Sequence, residues 1–119
     1  MKFGFEDLEV WHLALELMDE VYKIADRFPS MELYNLTSQV RRAAISISLN
    51  IAEGSGRHHK KDFARFIRLS IGSLLEVVAS LKIAIRRNYI TQADYEMTAS
   101  PLLEKLYFKL IALEKSLLS

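Results

Sequence analysis

The sequence predicts an all-α protein, an antiparallel four-helix bundle, on three observations. Apolar residues recur at three- and four-residue spacings along nearly the whole chain. No segment holds the two-residue alternation of a strand, and four Gly and two Pro leave material for only a few turns. Long helices joined by short connections pack as a bundle with antiparallel neighbours. With 119 residues, 50% apolar and 26% charged, the chain is expected to form one domain over 1–119. It carries no linker, internal repeat or low-complexity tract.

The first helix is expected over about Asp7–Arg27, with Leu8, Trp11, Leu15, Met18, Tyr22 and Ala25 as its apolar stripe and Phe28-Pro29 as its stop. A short turn from Ser30 to Asn35 leads into the second helix. There Leu36, Val40, Ala43, Ala44, Ile47 and Ile51 fall within a stripe roughly 100° wide, the usual width of a core-facing surface. Gly54-Ser55-Gly56 ends it, with glycine offering the left-handed geometry of a C-cap. The third helix runs from about Lys60 to Arg87, with Phe63, Phe66, Ile67, Leu74, Val77, Val78, Leu81 and Ile85 inward. Asn88 and Tyr89 break the pattern, and Thr91 with Asp94 resembles a capping box opening the fourth helix. Pro101 interrupts this last helix. Ser100 is expected as a new N-cap, giving a kink or restart near Pro101 before Leu103, Leu106, Leu110, Leu113 and Leu117 carry the stripe onward.

Two outward surfaces exceed what a core needs. Ile45, Leu49 and Ala52 lie opposite the core stripe of the second helix, close to Arg41 and Arg42. On the outer side of the third, Gly72, Leu75, Ala79 and Ile83 lie among Lys61, Arg65, Arg68 and Arg86. Neighbouring helices that both present apolar and small residues outward suit self-association, so these seven non-basic residues are the expected oligomer interface.

Net charge is only +1, but it is unevenly spread. Residues 1–40 hold three basic and eight acidic groups, a net −5; residues 41–88 hold ten and three, a net +7; residues 89–119 hold three and four, a net −1. The basic middle nominates Arg41, Arg42, Arg57, Lys60, Lys61, Arg65, Arg68, Arg86 and Arg87 as phosphate contacts, a role that suits guanidinium by its bidentate geometry. The competing assignment pairs some of them with Glu16, Asp19, Glu20 and Asp26 on the acidic first helix.

Other chemistries find little support. Cysteine is absent, so there is no disulfide framework, thiolate nucleophile or Cys-ligated zinc, as suits a reducing cytoplasm. The N-terminus lacks the basic start and apolar run of an export signal, and the uncharged run Ala43–Ala52 is too short to span a bilayer. His58 and His59 point in different directions and His12 is distant, so they add cationic character and no metal site is expected. Gly54-Ser55-Gly56 lacks the preceding strand and the Lys-Ser/Thr of a phosphate loop. Ser46, Ser48, Ser70 and Ser73 are expected to bond the backbone or permit close packing, and Asn50 to fix register between helices. No cofactor and no catalytic residue is expected.

Several segments together resemble a known family. They are Phe5-x-Asp7-Leu8-x-Val10-Trp11 with Ala14, Phe28-Pro29-x-x-Glu32, Leu36-x-x-Gln39-x-Arg41-Arg42-Ala43-Ala44-x-Ser46-Ile47-x-x-Asn50-Ile51-Ala52-Glu53-Gly54, and Gly72-Ser73-x-x-Glu76. The chain resembles, over nearly its whole length, the small bacterial four-helix bundle proteins encoded in intervening sequences of large-subunit ribosomal RNA genes. These are similar in turn to the accessory protein of diversity-generating retroelements, a pentamer that binds nucleic acid and the element's reverse transcriptase. The resemblance implies a homopentamer with a positively charged surface and no enzyme activity. The expected function is a non-catalytic binding or scaffold protein for RNA or DNA. The alternative is a protein-interaction adaptor, for example one docking a reverse transcriptase, in which the same arginines meet an acidic protein surface.

Overall fold

Each apolar stripe becomes one face of a helix. In the computed structural model, which describes residues 1–119, α1 spans Glu9–Ala25, α2 Leu36–Ser55, α3 Lys60–Arg86, α4 Gln92–Met97 and α5 Ala99–Leu118. Short 3-10 turns occupy Gly4–Asp7 and Ser30–Glu32, and there is no strand. Helix α1 packs on α2 and α5, and α3 packs on the same two, so four long helices close around one core while the short α4 leans on α5. A four-helix bundle describes this arrangement. It measures 44 × 25 × 22 Å, and the 27 residues of α3 run nearly its full length at about 1.5 Å each.

The predicted stripe of α2 is buried at all six positions. On α3, Phe66, Ile67, Leu74, Val77 and Leu81 are buried, with Phe63, Val78 and Ile85 half-buried beside them. The stripe of α1 differs from expectation. Its buried face is Val10, Leu13, Ala14, Leu17, Val21, Ile24 and Ala25, whereas Trp11, Leu15 and Met18 are half-buried and Tyr22 is exposed. Apolar residues cover more than half of the α1 surface. Packing against both α2 and α5 selects the middle of that surface, and the expected stripe is its edge.

The seam between α2 and α3 is unusually close. A Cβ built on Gly54 would lie 2.6 Å from Phe66 Cβ and 2.9 Å from Phe63 Cδ1. Glycine is required there for the approach of the two helices, and the left-handed C-cap expected of this cluster does not occur. No glycine has a positive φ, and Gly56 closes α2 at φ −85°. Further along, the Ser70 hydroxyl donates to the Ile47 carbonyl at 2.9 Å and the Ser73 hydroxyl to Ser46 Oγ at 2.9 Å. Asn50 does not bridge the helices directly. Its Nδ2 donates to the Ser46 carbonyl at 2.9 Å and to Ser46 Oγ at 3.1 Å, within α2, and so supports the serine that does bridge.

The other ends are capped by side chains and backbone. Asn88 takes the left-handed conformation, φ 63°, and the Tyr89 and Asn88 N–H groups bond back to the Ala84 and Ile85 carbonyls, a Schellman closure of α3. Thr91 Oγ1 accepts from the Asp94 N–H at 3.0 Å, as the capping box predicts. The chain leaves helical geometry at Thr98 (φ −118°, ψ −76°), not at the expected Ser100. Pro101 lies in the first turn of α5, where a missing N–H leaves no intrahelical bond unmade. The Glu32 carboxylate ties the 30–35 connection to the end of α3, accepting from the Tyr89 hydroxyl at 2.6 Å and from Asn35 Nδ2 at 3.0 Å. These bonds, the tyrosine's first, hold its pKa below the ordinary 4.5.

Two outcomes are expected. Gly54→Ala forces a methyl group into Phe66 and costs about 1–3 kcal/mol, read as a lower midpoint in chemical denaturation; an unchanged midpoint would contradict the contact. A depressed carboxylate contributes stability in full above its unfolded pKa and loses it as the pH falls through the folded one. Between neutral pH and the region below 4.5, the wild type should therefore lose stability more steeply than Glu32→Gln, and parallel pH profiles would exclude this group.

Candidate nucleic-acid interface

The nine basic candidates do not form one patch. Arg41 faces α1: its Nη2 donates to Asp26 at 2.7 Å, its guanidinium lies 5.1 Å from the Tyr22 ring centroid, and its Nε is buried without a partner. Arg42, one residue on, is exposed, makes no ion pair and lines a polar pocket of about 320 Å³. Arg68 reaches across to α5, where its Nε and Nη2 donate to the two oxygens of the Glu114 carboxylate, Nε at 2.7 Å. That bond raises the arginine's pKa above its ordinary value. Arg86 and Arg87 sit at the opposite end of α3 from Lys60 and Lys61 and pair with no carboxylate.

The corner between α2 and α3 is the densest cluster. Arg57 donates to Glu53 at 3.0 Å and lies 3.9 Å from Asp62. Arg65 donates to the same Asp62 through Nη2 at 3.0 Å and Nε at 3.2 Å. Both guanidinium groups lie over the Phe66 ring, 4.5 and 4.6 Å from its centroid. One aspartate and one phenylalanine therefore hold two arginines in fixed positions, with exposed His58, His59, Lys60 and Lys61 around them. The Asp62-x-x-Arg65 and Glu53-x-x-x-Arg57 spacings make two of these pairs readable from helical geometry. The Arg68–Glu114 pair, 46 residues apart, has no local sequence signal.

Of the acidic partners expected on the first helix, only Asp26 is used by a candidate arginine. Glu16, Asp19 and Glu20 make no ion pair. The α2–α3 side consequently retains Arg42, Lys60, Lys61, Arg86 and Arg87 outside any ion pair, against one unpaired acid, Glu76. Arg87 is further held in its charged form by Tyr89 and Glu32 nearby.

The expected oligomer residues separate by exposure. Leu49, Gly72, Leu75, Ala79 and Ile83 are exposed, Leu49 at 59% and Ile83 at 52%, whereas Ile45 and Ala52 are already half-buried within the subunit. Leu75 borders a second surface, an apolar groove of about 280 Å³ between α3 and α5 that includes Val78, Tyr107 and Phe108. No three His, Asp or Glu side chains are placed to hold a metal ion, and His12 Nε2 donates to the Glu6 carbonyl at 2.7 Å. No helix is long and apolar enough to cross a membrane.

A family model described as 23S rRNA-intervening sequence protein matches residues 6–108. The chain belongs to that family. The matched span runs from the turn before α1 into the first half of α5, so it contains every basic candidate and the whole α2–α3 seam. Arg68 lies within it but its partner Glu114 does not. No functionally curated protein matches the chain.

Proposed function

We propose that this member of the 23S rRNA-intervening sequence protein family is a non-catalytic, cytoplasmic, oligomeric scaffold that binds RNA or DNA phosphates through its α2–α3 side. The observation that carries this reading is the charge left over after internal pairing. Arg42, Lys60, Lys61, Arg86 and Arg87 have no ion-pair partner in the subunit, and cations of this kind gain affinity by releasing phosphate counterions. Arg57 and Arg65, held by Glu53, Asp62 and Phe66, have their charge partly offset within the subunit and add less than the unpaired cations beside them.

A few cations per subunit give weak binding, and assembly multiplies it. Exposed Leu49, Leu75 and Ile83 with the small Gly72 and Ala79 support contact between copies, and the family resemblance supports a pentamer. In such a ring each subunit adds its own cations to one nucleic-acid strand, so that avidity replaces single-site affinity. Within the subunit, long helices joined by short connections and packed around one core support antiparallel neighbours. In the adaptor reading the same arginines meet an acidic protein surface, with a reverse transcriptase or another protein as partner.

Fluorescence anisotropy with single- and double-stranded RNA and DNA over a salt series, on protein whose mass is fixed by light scattering, tests the proposal. Affinity should fall steeply with salt. Replacing Lys60 and Lys61 by Ala should weaken binding and flatten the logarithmic salt slope by about one to two, since each phosphate contact contributes roughly 0.7–0.9. Arg68→Ala should leave that slope unchanged, because its charge is already spent on Glu114. Absence of binding at low salt would overturn the reading in favour of the adaptor.

A further inference from the structure

Gln39, Arg42 and Glu76 come from two separate sequence motifs, yet none is buried and none makes an ion pair. The core does not need them. The fold brings all three to the pocket of about 320 Å³ that Tyr34, Asn35 and Ser38 complete. Its position follows from the α2–α3 seam. From the Ser46–Ser73 hydrogen bond, Arg42 is one turn back along α2 and Glu76 one turn on along α3, so both flank the same stretch of the groove.

The groups in this pocket have a definite recognition chemistry. Arg42 and Glu76 line it without pairing, so a guanidinium fork and a carboxylate both face open space. The Ser38 hydroxyl and the Gln39 amide have no side-chain partner in the subunit, and Asn35, whose Nδ2 is committed to Glu32, keeps its carbonyl oxygen free. Tyr34, 93% exposed, holds its ring at the rim with no packing role. A planar ligand with two adjacent N–H donors on one edge and two adjacent acceptors on the next would satisfy both charged groups at once. Among the bases, guanine has this pattern: N1–H and the N2 amine toward a carboxylate, O6 and N7 toward an arginine fork. Adenine would set its N1 acceptor against the carboxylate and its N6 amine against the guanidinium. An aromatic rim with amides and a hydroxyl beneath is how splayed single-stranded bases are held.

We propose that this pocket receives an unpaired guanine of the bound strand, with Glu76 on its Watson–Crick edge, Arg42 on O6 and N7, and Tyr34 stacked on its face. The proposal rests on the nucleic-acid reading above and adds a base preference to it. The backbone of the strand continues past the pocket along the cationic α2–α3 side, so phosphate contacts set the affinity and the pocket sets the choice of base.

Anisotropy with single-stranded RNA 12-mers of equal length and charge tests it. The probes are oligouridine carrying one central guanosine, adenosine or inosine, each at fixed salt. The guanosine strand should bind about tenfold more tightly than the adenosine strand, and inosine, lacking the N2 amine, should lose most of that advantage. Glu76→Gln should erase the preference while leaving the adenosine strand's affinity within about twofold, with circular dichroism unchanged because the position is exposed. Equal wild-type affinities for guanosine and adenosine strands would overturn the base pocket and leave phosphate binding standing. Competition by free GMP without any preference among strands would also overturn it, assigning the pocket to a mononucleotide. Failure of every strand to bind at low salt would instead overturn the nucleic-acid reading on which it rests.

Discussion

The close approach of α2 and α3 governs the rest of the molecule. Gly54 lets the helices meet at Phe66 and Phe63, and Ser70–Ile47 and Ser73–Ser46 hydrogen bonds fix their register from there. Once that register is set, Phe66 is presented at the corner where Arg57 and Arg65 lie over it, and Arg42 and Glu76 flank one pocket. The buried Ser70 hydroxyl helps to specify this register, because a slip of one residue would leave it unpaired at a cost of about 1–3 kcal/mol. Apolar side chains alone would tolerate the slip more cheaply.

Charge is partitioned by the same packing. Arginines near the flanks of α2 and α3 meet carboxylates on neighbouring elements: Arg41 with Asp26, Arg68 with Glu114. Arg42, Lys60, Lys61, Arg86 and Arg87 find none. A nearly neutral chain thereby carries a cationic side and an acidic α1 face, and the local excess, not the net charge, determines which ligands it attracts. Asp62 has a double consequence, since it offsets part of the positive charge at this corner while orienting two guanidinium groups.

Much of the fold was legible in the sequence. The α2 stripe, the Thr91 cap and the extent of α3 follow from periodicity and capping chemistry that are local by nature. The α1 face was not, because an apolar surface wider than one stripe is resolved only by which neighbours it packs on. Gly54 read as a terminator because a close interhelical contact leaves no trace in the residue's own neighbourhood. The basic residues were legible as a set and not as a site. Charge identifies Arg42 and Arg68 equally, and only tertiary pairing distinguishes the free guanidinium from the one held by Glu114. Tyr34 and Ser38 carried no signal of their own until the packing of α2 on α3 placed them in one pocket with Glu76.

A two-dimensional NMR titration of isotope-labelled protein with single-stranded RNA at low salt tests the central claim most directly, since it locates the bound strand residue by residue. The account predicts that amide and arginine side-chain signals from residues 34–42 and 57–65 shift together, while Glu16, Asp19 and Glu20 on the outer face of α1 stay in place. Shifts confined to α1 or α5, or no shifts at all, would contradict it.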